Sequence, residues 1–331
     1  MLEPEKPVEN PDDFYGRATL VRRVFSRIGA DRPQSVAVIG GRKIGKTSLL
    51  NQINDTRIRD SYLADKENFI FTMVSLKNEN YADAESFLKA VYTRLEGDGS
   101  DVSNYYNAMQ KIVEATHNSG KKLIFLLDDF HYITRNHNFP LEFFSFLRSL
   151  ANNYNLAYVT TSYLELQKLC VVKDIEESPF FNIFTNLALG LLSFENGVKL
   201  CRDLTGWEEE AAAGLVSWCG PLPYAIKTAV KNIPLASEHG VEDYGKLLLP
   251  ELAPYFEEIV SILPKDAFKP LKELAKGKTP DPREIHLLQP LIRQSFLTED
   301  SDELGFFSTA FKLFTLKQLS ASQLKGDGRG L

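Results

Sequence analysis

The stretch Gly40-Gly41-Arg42-Lys43-Ile44-Gly45-Lys46-Thr47 fits the pattern G-x-x-x-x-G-K-[ST] and constrains the fold of this chain more than any other feature. It lies between the β-branched run Ser35–Ile39, which reads as a strand, and a helical pattern that resumes at Thr47. Glycines let such a loop curl until successive N–H groups point inward, and the helix that follows adds about half a positive charge at its N-terminus. Phosphate oxygens are the natural guest. The whole segment Gly40–Ser48 is therefore expected to hold a nucleoside triphosphate, with Lys46 on the β- and γ-phosphates and the Thr47 hydroxyl in the shell of a Mg2+ ion. A glycine-rich turn with a chance Lys-Thr is the bland alternative. The strand and helix on either side count against it.

Apolar runs recur downstream at 69–76, 123–127, 156–160 and 187–192, with helical periods between them, including 84–95 and 102–117. Runs without a polar face suit strands buried on both sides, so the reading is a doubly wound α/β core with a parallel sheet. A short amphipathic helix over 18–28 precedes it, carrying Leu20, Val21, Val24, Phe25 and Ile28 at helical spacing. Beyond Ser193, a candidate N-cap, the pattern is helical only, over 193–204, 208–218 and 223–232. From Glu251 three helices are expected, then two short strands, 296–298 and 305–307, around the polar turn 299–303, and a last helix from Thr309. That order is a winged helix. The expected division is a leader with a first helix (1–33), a P-loop core (34–192), a small helical module (193–240), a winged helix (241–320) and a glycine-rich tail without structure (321–331).

The run Leu123-Ile124-Phe125-Leu126-Leu127 ends in Asp128-Asp129, two carboxylates at the end of a buried strand, where ligands of open α/β sheets collect. Asp128 is expected to hold magnesium through its water shell, and Asp129 to polarise an attacking water, since hydrolysis needs an acceptor for that proton. Alone, paired acids after a strand are more often a turn or cap. The P-loop reverses that weighting. Thr160-Thr161-Ser162 follows the next apolar run and would lie beside Asp128 if the two strands are neighbours, so Thr161 and Ser162 are candidates for contact with the γ-phosphate or the water. An ordinary helix cap is an equal reading.

Composition excludes more than it selects. The chain has 331 residues and a net charge of −6, which gives no global pull toward nucleic acid or anionic membrane. Its 3 cysteines form no Cys-x-x-Cys and suggest neither a disulfide framework nor a zinc site. With no apolar leader and no spanning stretch, neither secretion nor membrane insertion is expected, and a reducing cytoplasm is.

From about Asp12 to Leu319 the chain resembles the STAND ATPases, the signal-transduction branch of the AAA+ class. Phe14-Tyr15-Gly16-Arg17 is similar to the segment that precedes the first helix in this family and lines the adenine pocket in relatives. Cys219-Gly220-Pro221-Leu222-Pro223-Tyr224-Ala225-Ile226 resembles the Gly-Leu-Pro-Leu-Ala signature whose proline caps adenine from the helical lid, with Pro223 at the matching position. As a bland reading, a proline in the first turn of a helix is common. The segment Leu291–Leu297 with Phe306-Phe307-Ser308 resembles the winged helix that closes over bound ADP. On this likeness the helix of 1–33 is expected on the adenine side, and the module 193–240 is expected to be a helical lid. Two positions depart from the family: Tyr163 stands where an arginine often senses the γ-phosphate, and His131 where many members have a third acid.

The resemblance implies an ATP/ADP switch with slow hydrolysis, closed on ADP and opened by ATP to oligomerise or to engage an effector. Relatives fuse effector and sensor to the switch, and 331 residues leave room for neither, so the expectation is either separately encoded protein partners or a truncated chain. Two rivals stay open. In a DNA-binding ATPase of the origin-recognition or transcription-factor type the winged helix reads duplex DNA; acids outnumber Lys and Arg over 241–320, which disfavours it. The other is a nucleotide-dependent adaptor that never turns over.

Overall fold

Residues that can be buried on both faces make the strands of a parallel sheet. The computed structural model describes residues 3–79, 81–96, 102–233, 241–300 and 303–317. Strands β1 (Ser35–Ile39), β2 (Phe69–Ser75), β3 (Lys122–Asp128), β4 (Leu156–Ser162) and β5 (Phe184–Ala188) form one sheet in the order β2-β3-β4-β1-β5. All pairings are parallel, with Leu127 opposite Thr160, Ser75 opposite Asp128 and Ile39 opposite Ser162. The carboxyl ends of β1, β3 and β4 therefore reach the same edge. Every residue of β4 is buried.

The helices of this unit are α1 (Ala18–Ile28), α2 (Lys46–Asn54), α3 (Thr56–Tyr62), α4 (Leu76–Glu79), α5 (Ala84–Glu96), α6 (Tyr105–Asn118), α7 (His131–Thr134), α8 (Leu141–Asn153) and α9 (Lys173–Glu176). In α1 the five apolar residues at helical spacing are the five that are buried. Helix α6 starts after Asn104, whose side chain accepts from the Asn107 N–H, and not at Val102; the polar cap decides the start. The last strand also differs from the expected 187–192. Its ladder with β1 covers 184–188, and Leu192 donates its N–H to the Pro221 carbonyl at 3.0 Å, so the apolar run continues as a buried connection after the strand has ended.

The second unit contains α10 (Phe194–Thr205), α11 (Glu209–Cys219), α12 (Pro223–Asn232), α13 (Val241–Val260), α14 (Phe268–Ala275), α15 (Gln289–Arg293), the antiparallel pair β6 (Leu297–Asp300) and β7 (Glu303–Phe306), and α16 (Thr309–Lys317). Ser193 caps α10, its hydroxyl accepting from the Asn196 N–H at 3.3 Å. Helix α13 begins ahead of the expected Glu251 and runs through Pro250 and Pro254. Burial of Leu248, Leu249, Leu252, Tyr255, Phe256 and Ile259 offsets the ~3 kcal/mol that an interior proline costs. The helix expected over 284–293 is a 3-10 turn, Ile285–Leu288, leading into the five-residue α15. The ladder of β6 and β7 extends to Asp300 and Glu303, so both strands reach into the expected turn 299–303; residues 301–302 lie outside the described residues, as does the tail 321–331. Phe256, Phe296, Phe307, Phe311 and Phe314 form the core here, with Phe256 and Phe311 ring centroids 5.2 Å apart.

The two units are Pro7–Gly40 with Gly45–Leu189, and Met1–Lys6 with Gly41–Ile44 and Gly190–Leu331. The lid and winged-helix ranges read from the sequence share one unit, and the tip of the glycine loop belongs to it as well. Among the described residues no helix is long and apolar enough to cross a membrane.

Candidate functional site

The loop after β1 takes its shape from two residues in the left-handed region, Lys43 at φ 58 and Gly45 at φ 105. Gly45 caps α2, whose first N–H groups have no partner within the helix and define the anion-attracting end. Lys46 is buried and folds its Nζ onto the Gly40 carbonyl at 3.0 Å. Ile44 is buried too, which leaves the loop its backbone and its cations for binding.

At the ends of the strands, four residues form a hydrogen-bonded array. Thr47 Oγ1 donates to Asp128 Oδ2 at 2.7 Å and Thr161 Oγ1 donates to Asp128 Oδ1 at 2.6 Å. The Thr161 hydroxyl also accepts from the Asp129 N–H at 2.8 Å, and its carbonyl accepts from the Phe130 N–H. The condition attached to Thr161 is met: β3 and β4 are neighbours. In this structure its hydroxyl holds Asp128 and the start of the turn. Ser162 Oγ donates to the Leu164 carbonyl at 2.5 Å, and the Gly40 N–H donates to the Ser162 carbonyl at 3.1 Å, so Ser162 closes the backbone around the loop.

Asp129 sits at φ 57, a left-handed conformation uncommon for a residue with a Cβ. Its Oδ1 is 3.9 Å from His131 Nδ1, and the His131 ring lies against Tyr132 and Tyr163 with centroids 4.7 and 4.8 Å away. Arg135 Nη1 donates to the Tyr163 hydroxyl at 2.9 Å. An arginine thus reaches the position after the Thr-Thr-Ser run from a different element. Sequence spacing carries no signal for it.

Ser48 turns away from the phosphate side: its hydroxyl accepts from the Val8 N–H at 3.0 Å, and Asn51 Nδ2 donates to the Val8 carbonyl at 3.0 Å. The leader is strapped along α2 by these bonds. Tyr15, Gly16 and Arg17 precede α1, and burial lowers the Arg17 guanidinium to about 10, still protonated at neutral pH.

Arg42 and Lys43 are held by the C-terminal unit to which their segment belongs. Arg42 pairs with Glu258, and the Tyr255 hydroxyl donates to the Arg42 carbonyl at 2.9 Å. Lys43 pairs with Glu5 and places its Nζ 5.0 Å from the centre of the Tyr224 ring, on the residue after Pro223. Burial pushes the Tyr255 phenol well up, so it stays a donor. Glu5, Tyr255, Glu258 and Arg135 were not visible as site residues in the sequence, because each is generic in its local context.

The donor set fits magnesium. A threonine hydroxyl and a carboxylate 2.7 Å apart offer hard oxygen ligands, and among the described residues no group of three or more His, Cys, Asp or Glu could hold a metal without help. Nucleotide and water oxygens would complete such a shell.

A family profile described as Novel STAND NTPase 2 matches residues 30–261. Among solved structures, a Walker-type ATPase of Pyrococcus abyssi superposes with a TM-score of 0.64 at 12% identity, covering 94% of this chain and 98% of that one. The ORC2 protein of Aeropyrum pernix, in ADPNP–ADP complexes, gives 0.59 at 12% identity, covering 98% and 97%. A search of curated proteins found no match. At these identities the structural likeness shows a shared fold.

Proposed function

This chain belongs to the novel STAND NTPase 2 family and is a P-loop ATPase by fold, and on that premise we propose that it is an adenine-nucleotide switch of the cytoplasm that hydrolyses ATP slowly. In this reading ADP favours a closed form, and ATP favours an open form that engages a protein partner or further copies of the chain. The observation that supports it most is the set of partners on the cations of the glycine loop: Arg42 pairs with Glu258, Lys43 pairs with Glu5 and lies over the Tyr224 ring, and the Tyr255 hydroxyl donates to the Arg42 carbonyl. A phosphate that draws on the cations of Arg42 and Lys43 competes with their carboxylate partners. Occupancy of the loop then changes the partners of Glu258 and Glu5.

Lys46 leaves the Gly40 carbonyl for a phosphate oxygen, a charge-assisted bond worth about 1.5–3 kcal/mol. Thr47 and Asp128 would hold magnesium, which would supply positive charge to offset that of the β- and γ-phosphates. Asp129 accepts the proton of the attacking water as it adds to the γ-phosphorus and ADP leaves. Tyr15, Gly16, Arg17 and Pro223 are assigned to the adenine side. Moving a closed majority to an open one needs a preference of about 5.5 kcal/mol between the forms, within reach of several γ-phosphate contacts. DNA binding is the weaker reading, given the acidic excess over 241–320.

The test is light scattering of the full chain with magnesium and either ADP or ATP, alongside phosphate release. The expected result is one mass with ADP and a larger one with ATP, with release slowed in Asp129→Asn. Equal masses with both nucleotides would sink the switch, and background release unaffected by Asp129→Asn would make the chain a non-hydrolysing adaptor.

A further inference from the structure

At the edge of the parallel sheet away from the glycine loop, the α/β unit holds a cavity of about 530 Å³. Its walls are the segment Arg32–Ser35 at the start of β1, the later turns of α8, the 3-10 turn Pro179–Ile183 and Thr185 of β5. Every lining residue belongs to this one unit. Strand β1 has 5 residues at a rise of about 3.3 Å each, so about 15 Å of strand separates the cavity from Gly40. Cavities of about 300–1,000 Å³ are the size that holds a small molecule.

The lining carries two arginines, Arg32 and Arg148, and no carboxylate. Among the described residues neither arginine has an ion-pair partner. Helix α8 meets the cavity with Arg148, Ala151 and Asn152, spaced i, i+3 and i+4, so one face of the helix and its side chains turn to it. Arg27 Nη1 donates to Gln34 Oε1 at 2.6 Å, which engages the amide acceptor on the opposite wall. The balance of the lining is therefore positive charge and donors. Pro33, Ala151 and Ile183 add apolar surface beside them.

We propose that this cavity is a second ligand site and takes a small organic phosphate, with its phosphoryl group at Arg32 and Arg148 and its apolar body against Pro33, Ala151 and Ile183. A guanidinium presents paired N–H groups in a plane that matches phosphate oxygens. Two such cations suit a phosphate monoester, which carries about two negative charges and three terminal acceptor oxygens at neutral pH. A monocarboxylate brings one charge and two oxygens, and so leaves one arginine without a partner. The site lies at the far end of β1 and does not rest on the nucleotide reading of the glycine loop.

Calorimetry on the full chain with Mg2+ and saturating ADP, which keeps the glycine loop occupied, tests it with phenyl phosphate as probe and with benzoate and phenol as its carboxylate and uncharged counterparts. The parent should bind phenyl phosphate saturably, benzoate more weakly by roughly tenfold or more, and phenol not at all. Arg32→Gln and Arg148→Gln should each weaken phenyl phosphate by roughly tenfold or more. Asn182→Asp, a change at an exposed lining position, sets a carboxylate against the probe and should weaken it as well. Should Arg148→Gln lose its fold, Asn182→Asp decides the matter alone. Undiminished binding of phenyl phosphate by Arg148→Gln or by Asn182→Asp overturns the proposal, and so does a parent that takes up none of the probes. Binding that is lost in Lys46→Ala and kept in Arg148→Gln would belong to the glycine loop and overturns it too. Benzoate bound as tightly as phenyl phosphate overturns the choice of a phosphate.

Discussion

The α/β unit and the C-terminal unit place their polar groups by different means. In the first, Thr47, Asp128 and Thr161 are short side chains at the ends of buried elements, aligned by the parallel ladder and bonded to one another at 2.6–2.7 Å. In the second, the loop tip is held by long side chains with solvent access: those of Arg42 and Glu258 are 55% and 32% exposed. The contrast separates a rigid floor from an adjustable grip. Ladder hydrogen bonds allow a carboxylate little travel, whereas exposed ion pairs exchange partners at small cost.

Substitutions can break or sharpen this contrast, beginning with the one expected to cost most. Gly220 has φ 83 and ψ 160, a region open almost only to glycine, and a Cβ there would lie 2.6 Å from Phe307 Cδ2. Gly220→Ala should destabilise the C-terminal unit by about 2–5 kcal/mol, from strain and overpacking together. Both tryptophans, Trp207 and Trp218, lie in that unit, so urea unfolding followed by their fluorescence reads it alone. An unmoved transition would deny that packing positions this unit.

Lys46→Ala comes next, with a loss of about 3 kcal/mol in ADP affinity, roughly a hundredfold, by calorimetry. The tryptophan transition without nucleotide should stay put. Thr161→Val should cost about 1–3 kcal/mol, because Asp128 Oδ1 and the Asp129 N–H both lose a buried partner. Hydrogen exchange across β3 and β4 would report it, and an unchanged exchange rate would remove Thr161 from the array. The smallest effect is expected for Arg42→Ala, below about 1 kcal/mol in the tryptophan-detected transition, since the pair with Glu258 is exposed. A larger loss would make the grip as rigid as the floor.

Sequence reading found the elements whose pattern is local. The period of α1, the strand–loop–helix around Gly40–Thr47 and the acid pair closing β3 are all written in neighbouring residues, since a helix or buried strand imposes its spacing on its own side chains. It misplaced what depends on partners. The apolar run 187–192 looks like a strand, yet the register with β1 ends the strand at Ala188. A helix is expected from Glu251, yet α13 begins earlier and passes through Pro250 because the burial of its neighbours outweighs one lost hydrogen bond.

The sequence by itself determined that a glycine loop would precede a helix carrying Lys46 and Thr47, because that conformation is set by residues in direct succession. Only the tertiary structure decided that Thr161 would clamp Asp128, that Glu258 and Glu5 would hold Arg42 and Lys43, and that Gln294 would lie against Gly41. Those partners are 33, 216, 38 and 253 positions apart in the chain. Contacts over such separations follow from how the cores pack, which local spacing does not encode.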